Sequence, residues 1–370
     1  MRNYIGMCVL LASVAVSCAT VQATEKQRLV LRDNWEMVSS ADVGQTGDVI
    51  STSAFIPQGW YPVSVPTTVL AALVANGVYP DPFYGDNLKS IPGYREGRWL
   101  IMPADSPFRR PWWYRTQFKV PPDYAGRDVH LHLDGINYKA NIWLNGHLIA
   151  ASDSVIGAFR RFEFPASQCL RAGEDNCLAV EIIGPGQGPD VAYRTKQIEA
   201  TTGWDDHNPY PPDMNMGIWQ EVYLTATGPV RMRHPYVQTD LEVPSLDMAH
   251  LTVSVVVTNT TQQAVTAQIA GAIENVAFSQ DLSLAPGHTE LVRFSPEAFP
   301  QLNISKPRVW WPNPVGPQEL YWLQLEARVG GEVSDVERVR FGIRKATTYI
   351  NQEGWRAYTV NGRNILIRGG

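Results

Sequence analysis

From Trp112 onward the chain is a succession of short β-branched and aromatic runs, each closed by Gly, Asn or Pro, and no other feature narrows the fold so far. The runs are WWYRTQFKV from Trp112, HLHLDGI from His130, KANIWLNGHLI from Lys139, FRRFEF from Phe159, CLAVEII from Cys177 and IWQEVYLTA from Ile218. Their apolar residues alternate, as in a β-sandwich with one wet face, and Asn145-Gly146 is the residue pair of a type I′ hairpin. A second series follows Pro229. Residues 251–258 alternate strictly, 259–263 make a polar turn, and further strands at 266–274, 289–294, 320–329 and 336–343 are spaced as in an immunoglobulin-like sandwich. The antibody-type cysteine pair and strand-C Trp do not back that spacing, so it supports architecture alone. The predicted fold class is therefore all-β, two sandwiches in tandem.

Flanking segments complete the reading. Residues 29–35 form a first short strand, and a Ser- and Gly-rich loop runs to Thr52. Residues 65–76, VPTTVLAALVAN, form an amphipathic helix with Pro66 at its start and Gly77 where a C-cap belongs. Residues 79–111, rich in Pro, Gly, Tyr and Asp, make a long ordered loop. Near the far end Asn361-Gly362 marks another hairpin. The little-alternating run NILIR (364–368) then reads as a strand buried on both faces, with nothing here to pair with, as though a third domain were starting.

A chain of 370 residues suggests about two domains, and 44% hydrophobic residues with 12 Trp and 15 Tyr can fill their cores. A formal net charge of −5 gives no basic footprint, which argues against nucleic acid or an anionic membrane as partner. The first 23 residues carry one Arg, an apolar run over 7–16 and small residues after it, which is a secretory signal too short to span a bilayer. Cleavage after Ala23 frees the protein into the periplasm or outside; the alternative, a lipoprotein box ending at Cys18, tethers it to a membrane. In either compartment Cys169 and Cys177 can close a small disulfide that pins a hairpin.

Residues 203–224, GWDDHNPYPPDMNMGIWQEVYL, hold the densest chemistry. Pro209, Pro211 and Pro212 stiffen an irregular loop, and Gly217 turns the chain into a strand. Trp204 beside Asp205, Asp206, His207 and Asn208 offers an aromatic face and polar partners, the surface a sugar requires; a structural Ω-type loop uses the same residues. The stiff turn Trp310–Pro314 is read as packing between neighbouring domains. His130 and His132 share one strand face, but without a third ligand in register they read as ordinary sandwich histidines, so no metal or cofactor is expected. Asn259 and Asn303 lie in glycosylation sequons and are expected to be bare behind a bacterial-type leader.

Together WWYRTQFKV, LDGINYKANIWLNGHLI, the Trp-Asp loop ending in MGIWQEVYL, and VNGRNILIRGG resemble the non-catalytic front half of glycoside hydrolase family 2. VPTTVLAALVANGVYPDPFYGDNL and PPDMNMGIW resemble its β-mannosidase and exo-β-D-glucosaminidase branch. The resemblance covers nearly all of the chain after the leader. It implies a galactose-binding-like jelly roll over 24–228, an immunoglobulin-like sandwich over 229–344, and the start of a (β/α)8 barrel over 345–370 whose remaining length, about 250 residues, is not in this sequence. The family cleaves terminal β-glycosidic bonds with retention, using two carboxyl groups about 5 to 5.5 Å apart on barrel strand ends. Adjacent Asp205 and Asp206 are unsuited to that separation. The resemblance makes Asp205 a substrate contact and Trp204 the wall beside it; Asp206 stands where the family often has a second Trp, a departure at the pocket wall. The expected function is thus the amino-terminal part of a secreted exo-β-glycosidase for β-mannosides or β-D-glucosaminides, inactive without its barrel. The competing expectations are a secreted lectin-like domain and a structural protein of stacked sandwiches.

Overall fold

The computed structural model describes residues 28–94, 103–184 and 211–367. Its first half is a jelly-roll sandwich of two antiparallel sheets. One has the spatial order β1 (Arg28–Val30), β13 (Val222–Thr227), β6 (Asp128–Leu133), β10 (Phe162–Pro165). The other has the order β3 (Tyr61–Val63), β2 (Trp35–Ser39), β5 (Trp112–Lys119), β11 (Asp175–Ile183), β8 (Lys139–Leu144), β9 (His147–Ala150). Leu131, Leu133 and Leu224 from the first sheet meet Tyr114, Leu178, Val180 and Ile142 from the second in one core. At about 1.5–3 kcal/mol per fully buried large apolar side chain, this core holds the two layers together.

The six-stranded sheet has no wet face at its centre, contrary to the simple alternation read from the sequence. Its far side carries Val38, Trp113 and Ala179, covered by Ile50 from a short helix α1 (Gly47–Ile50) in the segment read as a loop. Arg115 is buried there and held by four hydrogen bonds: its guanidinium donates to the carbonyls of Ile50, Thr52 and Phe55 and to Glu36. The same two-sided burial undoes the expected disulfide. Cys177 points to the α1 side, its Sγ 3.7 Å from the Ile50 carbonyl, whereas Cys169 packs on the central core, and both are free thiols.

A small sheet of β4 (Thr67–Thr68), β12 (Gly217–Ile218) and β7 (Ile136–Asn137) closes one end of the sandwich. It shortens the predicted helix: α2 is Val69–Ala75, because residues 67–68 are taken up in pairing with β12 and Thr68 becomes the N-cap.

The second half is an immunoglobulin-like sandwich. One sheet contains β14 (Val230–Leu241), β15 (Met248–Asn259) and β18 (Thr289–Phe294), with β19 (Asn303–Ser305) also on β15; the other runs β17 (Val276–Leu284), β16 (Val265–Ile273), β20 (Tyr321–Val329), β21 (Glu332–Phe341). A meander of β22 (Ala346–Ile350), β23 (Arg356–Val360) and β24 (Arg363–Ile365) follows. Here the reading of 364–368 is corrected: the strand covers only 363–365 and pairs antiparallel with β23, while Leu366 and Ile367 are 76% and 61% exposed. The Trp310–Pro314 turn packs against this meander. Trp310 is covered by the Arg344 guanidinium and its carbonyl accepts from the Asn361 amide, and Arg363 lies over Trp311. Among the described residues no helix is long and apolar enough to cross a membrane.

Candidate carbohydrate-binding site

The loop singled out in the sequence divides at residue 211. Trp204 and Asp205, with Asp206, His207 and Asn208, lie outside the described residues, as do the leader and Cys18. The described part, residues 211–217, forms a foot held between the first turn of α2 and β7.

Asp213 organises the foot. Its Oδ1 accepts from the Asn215 amide at 2.9 Å, an Asx turn, and its Oδ2 accepts from the Leu70 amide at 2.8 Å in the first turn of α2. The neighbouring helix donors are used as well: Val69 N–H goes to the Met216 carbonyl at 2.8 Å and Ala71 N–H to Thr68 Oγ1 at 3.2 Å. Three of the helix's four unpaired amides are thereby satisfied, two of them by the foot itself. From the other side, the Asn137 amide donates to the Met214 and Asn215 carbonyls at 3.0 and 2.9 Å.

Steric demands agree. Met214 and Asn215 take the left-handed region (φ 51° and 53°), with the Met214 and Met216 side chains sunk in the core. Gly217, at φ 149°, lies so close to β4 that a Cβ there would fall 2.6 Å from the Thr67 carbonyl oxygen and 2.7 Å from Thr68 Cα. Beyond β12, Trp219 donates its indole N–H to the Ala158 carbonyl at 3.0 Å and sets its ring edge-on to half-exposed Phe159.

Electrostatics follow from burial. The Asp213 carboxyl is sealed from water and pushed up to about 6 by that burial, against the pull of the Leu70 and Asn215 donors. Nearby Tyr114, also sealed, is raised well above the usual phenol range by burial and by the Asp213 charge. A carboxyl with no solvent access cannot touch a sugar, so Asp213 is an anchor. Asp213, Asn137 and Thr68 escaped the sequence reading, although Asp after Pro-Pro and Thr before VLAALVA are turn and N-cap signals.

The remaining candidates have other occupations. His132 meets Thr225 Oγ1 at 2.8 Å and stacks on Tyr223, and His130 takes an N–H from Arg231. Among the described residues no group of three or more His, Cys, Asp or Glu is placed to hold a metal. The Asn259 amide is fully buried and donates to the carbonyls of Gln263, Leu284 and Ala285, which leaves no room for a glycan.

Comparison with known proteins agrees with this architecture. Residues 35–220 match the glycosyl hydrolase 2 galactose-binding-domain-like family, and residues 230–344 match the glycosyl hydrolases family 2 sandwich. The chain belongs to glycoside hydrolase family 2. Within family 2 it is 38% identical over 351 residues to an exo-β-D-glucosaminidase of Streptomyces avermitilis, covering 95% of this chain and 36% of that protein. A mannosylglycoprotein endo-β-mannosidase of Lilium longiflorum is 29% identical, covering 92% of this chain and 36% of its own. The crystal structure of Amycolatopsis orientalis exo-chitosanase superposes with a TM-score of 0.79 at 34% identity, over 93% of this chain and 37% of that one, and a variant of that enzyme has been solved with PNP-β-D-glucosamine. This family 2 chain therefore spans about a third of the length of the relatives it matches.

Proposed function

We propose that the chain is the amino-terminal, non-catalytic portion of a secreted, retaining exo-β-glycosidase whose substrates are terminal β-D-glucosaminides. The observation that carries this reading is the similarity, along 95% of the chain, to an exo-β-D-glucosaminidase at 38% identity, against 29% for the lily endo-β-mannosidase. In this reading a leader of 23 residues is removed, residues 24–228 and 229–344 are the two sandwiches, and 345–370 lead into a barrel that carries the acid/base and nucleophile glutamates. Cleavage with retention needs those two carboxyls about 5 to 5.5 Å apart, a geometry that barrel strand ends supply.

The part of the site that this chain contributes is the segment before the foot. Asp205 accepts hydrogen bonds from the terminal sugar and Trp204 walls the pocket beside it. The rigidity of the foot supports this role, because a loop that orients substrate gains from an over-determined base. The meander supports a docked neighbour: Trp355, Leu366 and Ile367 are 72%, 76% and 61% exposed, and such an apolar surface suits burial against another domain.

The test is hydrolysis of PNP-β-D-glucosaminide and PNP-β-mannoside by residues 24–370 alone and by the chain supplemented with a separately made barrel. The reading expects no turnover alone, and turnover of the glucosaminide in preference to the mannoside once the barrel is added. Preferential cleavage of the mannoside would overturn the substrate assignment. Binding of glycans by residues 24–370 alone, with no activity on supplementation, would favour a lectin-like module instead.

A further inference from the structure

The joint between the two sandwiches is built from partly buried charge around the buried His130. Along β14 the side chains alternate: Val230 and Met232 enter the second core, while Arg231 and Arg233 reach across to the outer face of the first sandwich. There Glu163 on β10 accepts from Arg231 at 2.7 Å and from Arg233 at 3.2 Å, and Arg231 also donates to Nε2 of His130 on β6.

That last bond fixes the state of His130. A guanidinium has donors and no lone pair to offer, so Nε2 must be the unprotonated nitrogen and the ring proton must sit on Nδ1. Nδ1 faces Asp128 Oδ2 at 3.5 Å. Protonating His130 would put a hydrogen on Nε2, where Arg231 already points one. Two cationic donors would then face each other in a site where the histidine side chain is 8% exposed. The imidazolium and the Arg231 bond exclude one another.

We propose that the joint is an acid-released latch: protonation of His130 expels Arg231 and frees the second sandwich from the first. The groups that face His130 are Asp128 and His132 from its own strand, Glu163 from β10, and Arg231 and Arg233 from β14. Burial and then the Arg231 charge lower His130 from its ordinary 6.5 to about 4, while Glu163, which burial alone would raise, is held below the usual carboxylate range, chiefly by Arg231. The folded state therefore binds fewer protons at His130 than the unfolded state does between those two pH values. The latch is complete above 6.5 and is lost as the pH falls towards about 4. An open cleft of about 650 Å3 between the sandwiches is lined by Arg127, Asp128, Ser167, Gly228, Pro229 and Thr261, and so reaches Asp128, the neighbour of His130. Other contacts of β14, such as the Met232 amide to Asp335 at 2.7 Å, stay within the second sandwich, so its core survives release.

The test follows the His130 imidazole by NMR from pH 7.5 to 4 in the protein, together with amide exchange along β6, β10 and β14. The proposal expects His130 to titrate far below its ordinary 6.5, with protection at the joint lost in step while that of β16 and β20 stays. In His130→Gln, whose carbonyl can still accept from Arg231, joint protection should be independent of pH over the same range. A His130 that titrates near 6.5 with the joint intact, or a wild-type protein whose joint protection is flat to pH 4, would overturn it. If His130→Gln does not fold, the wild-type titration still decides.

Discussion

Asp213 sets the terms at the scale of single residues, because one sealed carboxyl satisfies amides from both the helix and the turn. Asp213→Ala leaves the Leu70 and Asn215 donors without partners, and is expected to cost about 2–4 kcal/mol, read as a shift in urea midpoint at unchanged m-value. Its titration has a definite sign. The folded pKa of about 6 lies above the ordinary 3.8, so the folded state holds the proton longer, and this contribution is full below 3.8 and lost as the pH rises through about 6. Asp213→Asn should remove that portion of the pH dependence of stability. The cysteines make a second case. Cys177 is pushed up to about 11, by burial first, so native Cys177 should resist iodoacetamide at pH 8 while half-buried Cys169 reacts faster. Because the two thiols are on different faces, reductant should leave the melting temperature unchanged; a drop would restore the disulfide.

Elements show why some of the molecule was legible in advance and some was not. β15 alternates without interruption over 12 residues, of which the sequence reading caught 251–258 and assigned Asn259 to the turn instead. β14 did not announce itself, since Pro235 interrupts its pattern; the strand tolerates it through a bulge between Arg233 and Tyr236, with His234 at φ 55°. β5 and β11 were legible as strands but not as strands covered on both sides, because alternation cannot reveal that residues 40–55 fold back over the sheet. The helix start moved to Val69 for a tertiary reason, the pairing of 67–68 with β12. Of the candidate site, Gly217 and the prolines were readable, whereas Asp213 and Asn137 act through partners far away in sequence. At this scale Gly217→Ala is expected to cost about 2–4 kcal/mol or to prevent folding, since β4 would have to leave β12, as chemical denaturation would measure.

For the whole molecule, the proposed division of labour is that the first sandwich holds a stiff foot, while Trp204 and Asp205 help to form a sugar pocket whose catalytic carboxyls would lie in another domain. Its two-domain frame predicts that acid acts on the joint before it acts on either core. Its functional claim is reached most directly through Asp205, because that side chain contacts sugar in the proposed complex and the foot does not. The deciding measurement is kcat/KM for PNP-β-D-glucosaminide of the full-length enzyme and of Asp205→Ala, with folding checked by thermal melting. The account predicts a loss of about 10- to 100-fold at unchanged melting temperature, the cost of one charge-assisted hydrogen bond to substrate. An unchanged kcat/KM in a folded Asp205→Ala protein would contradict it.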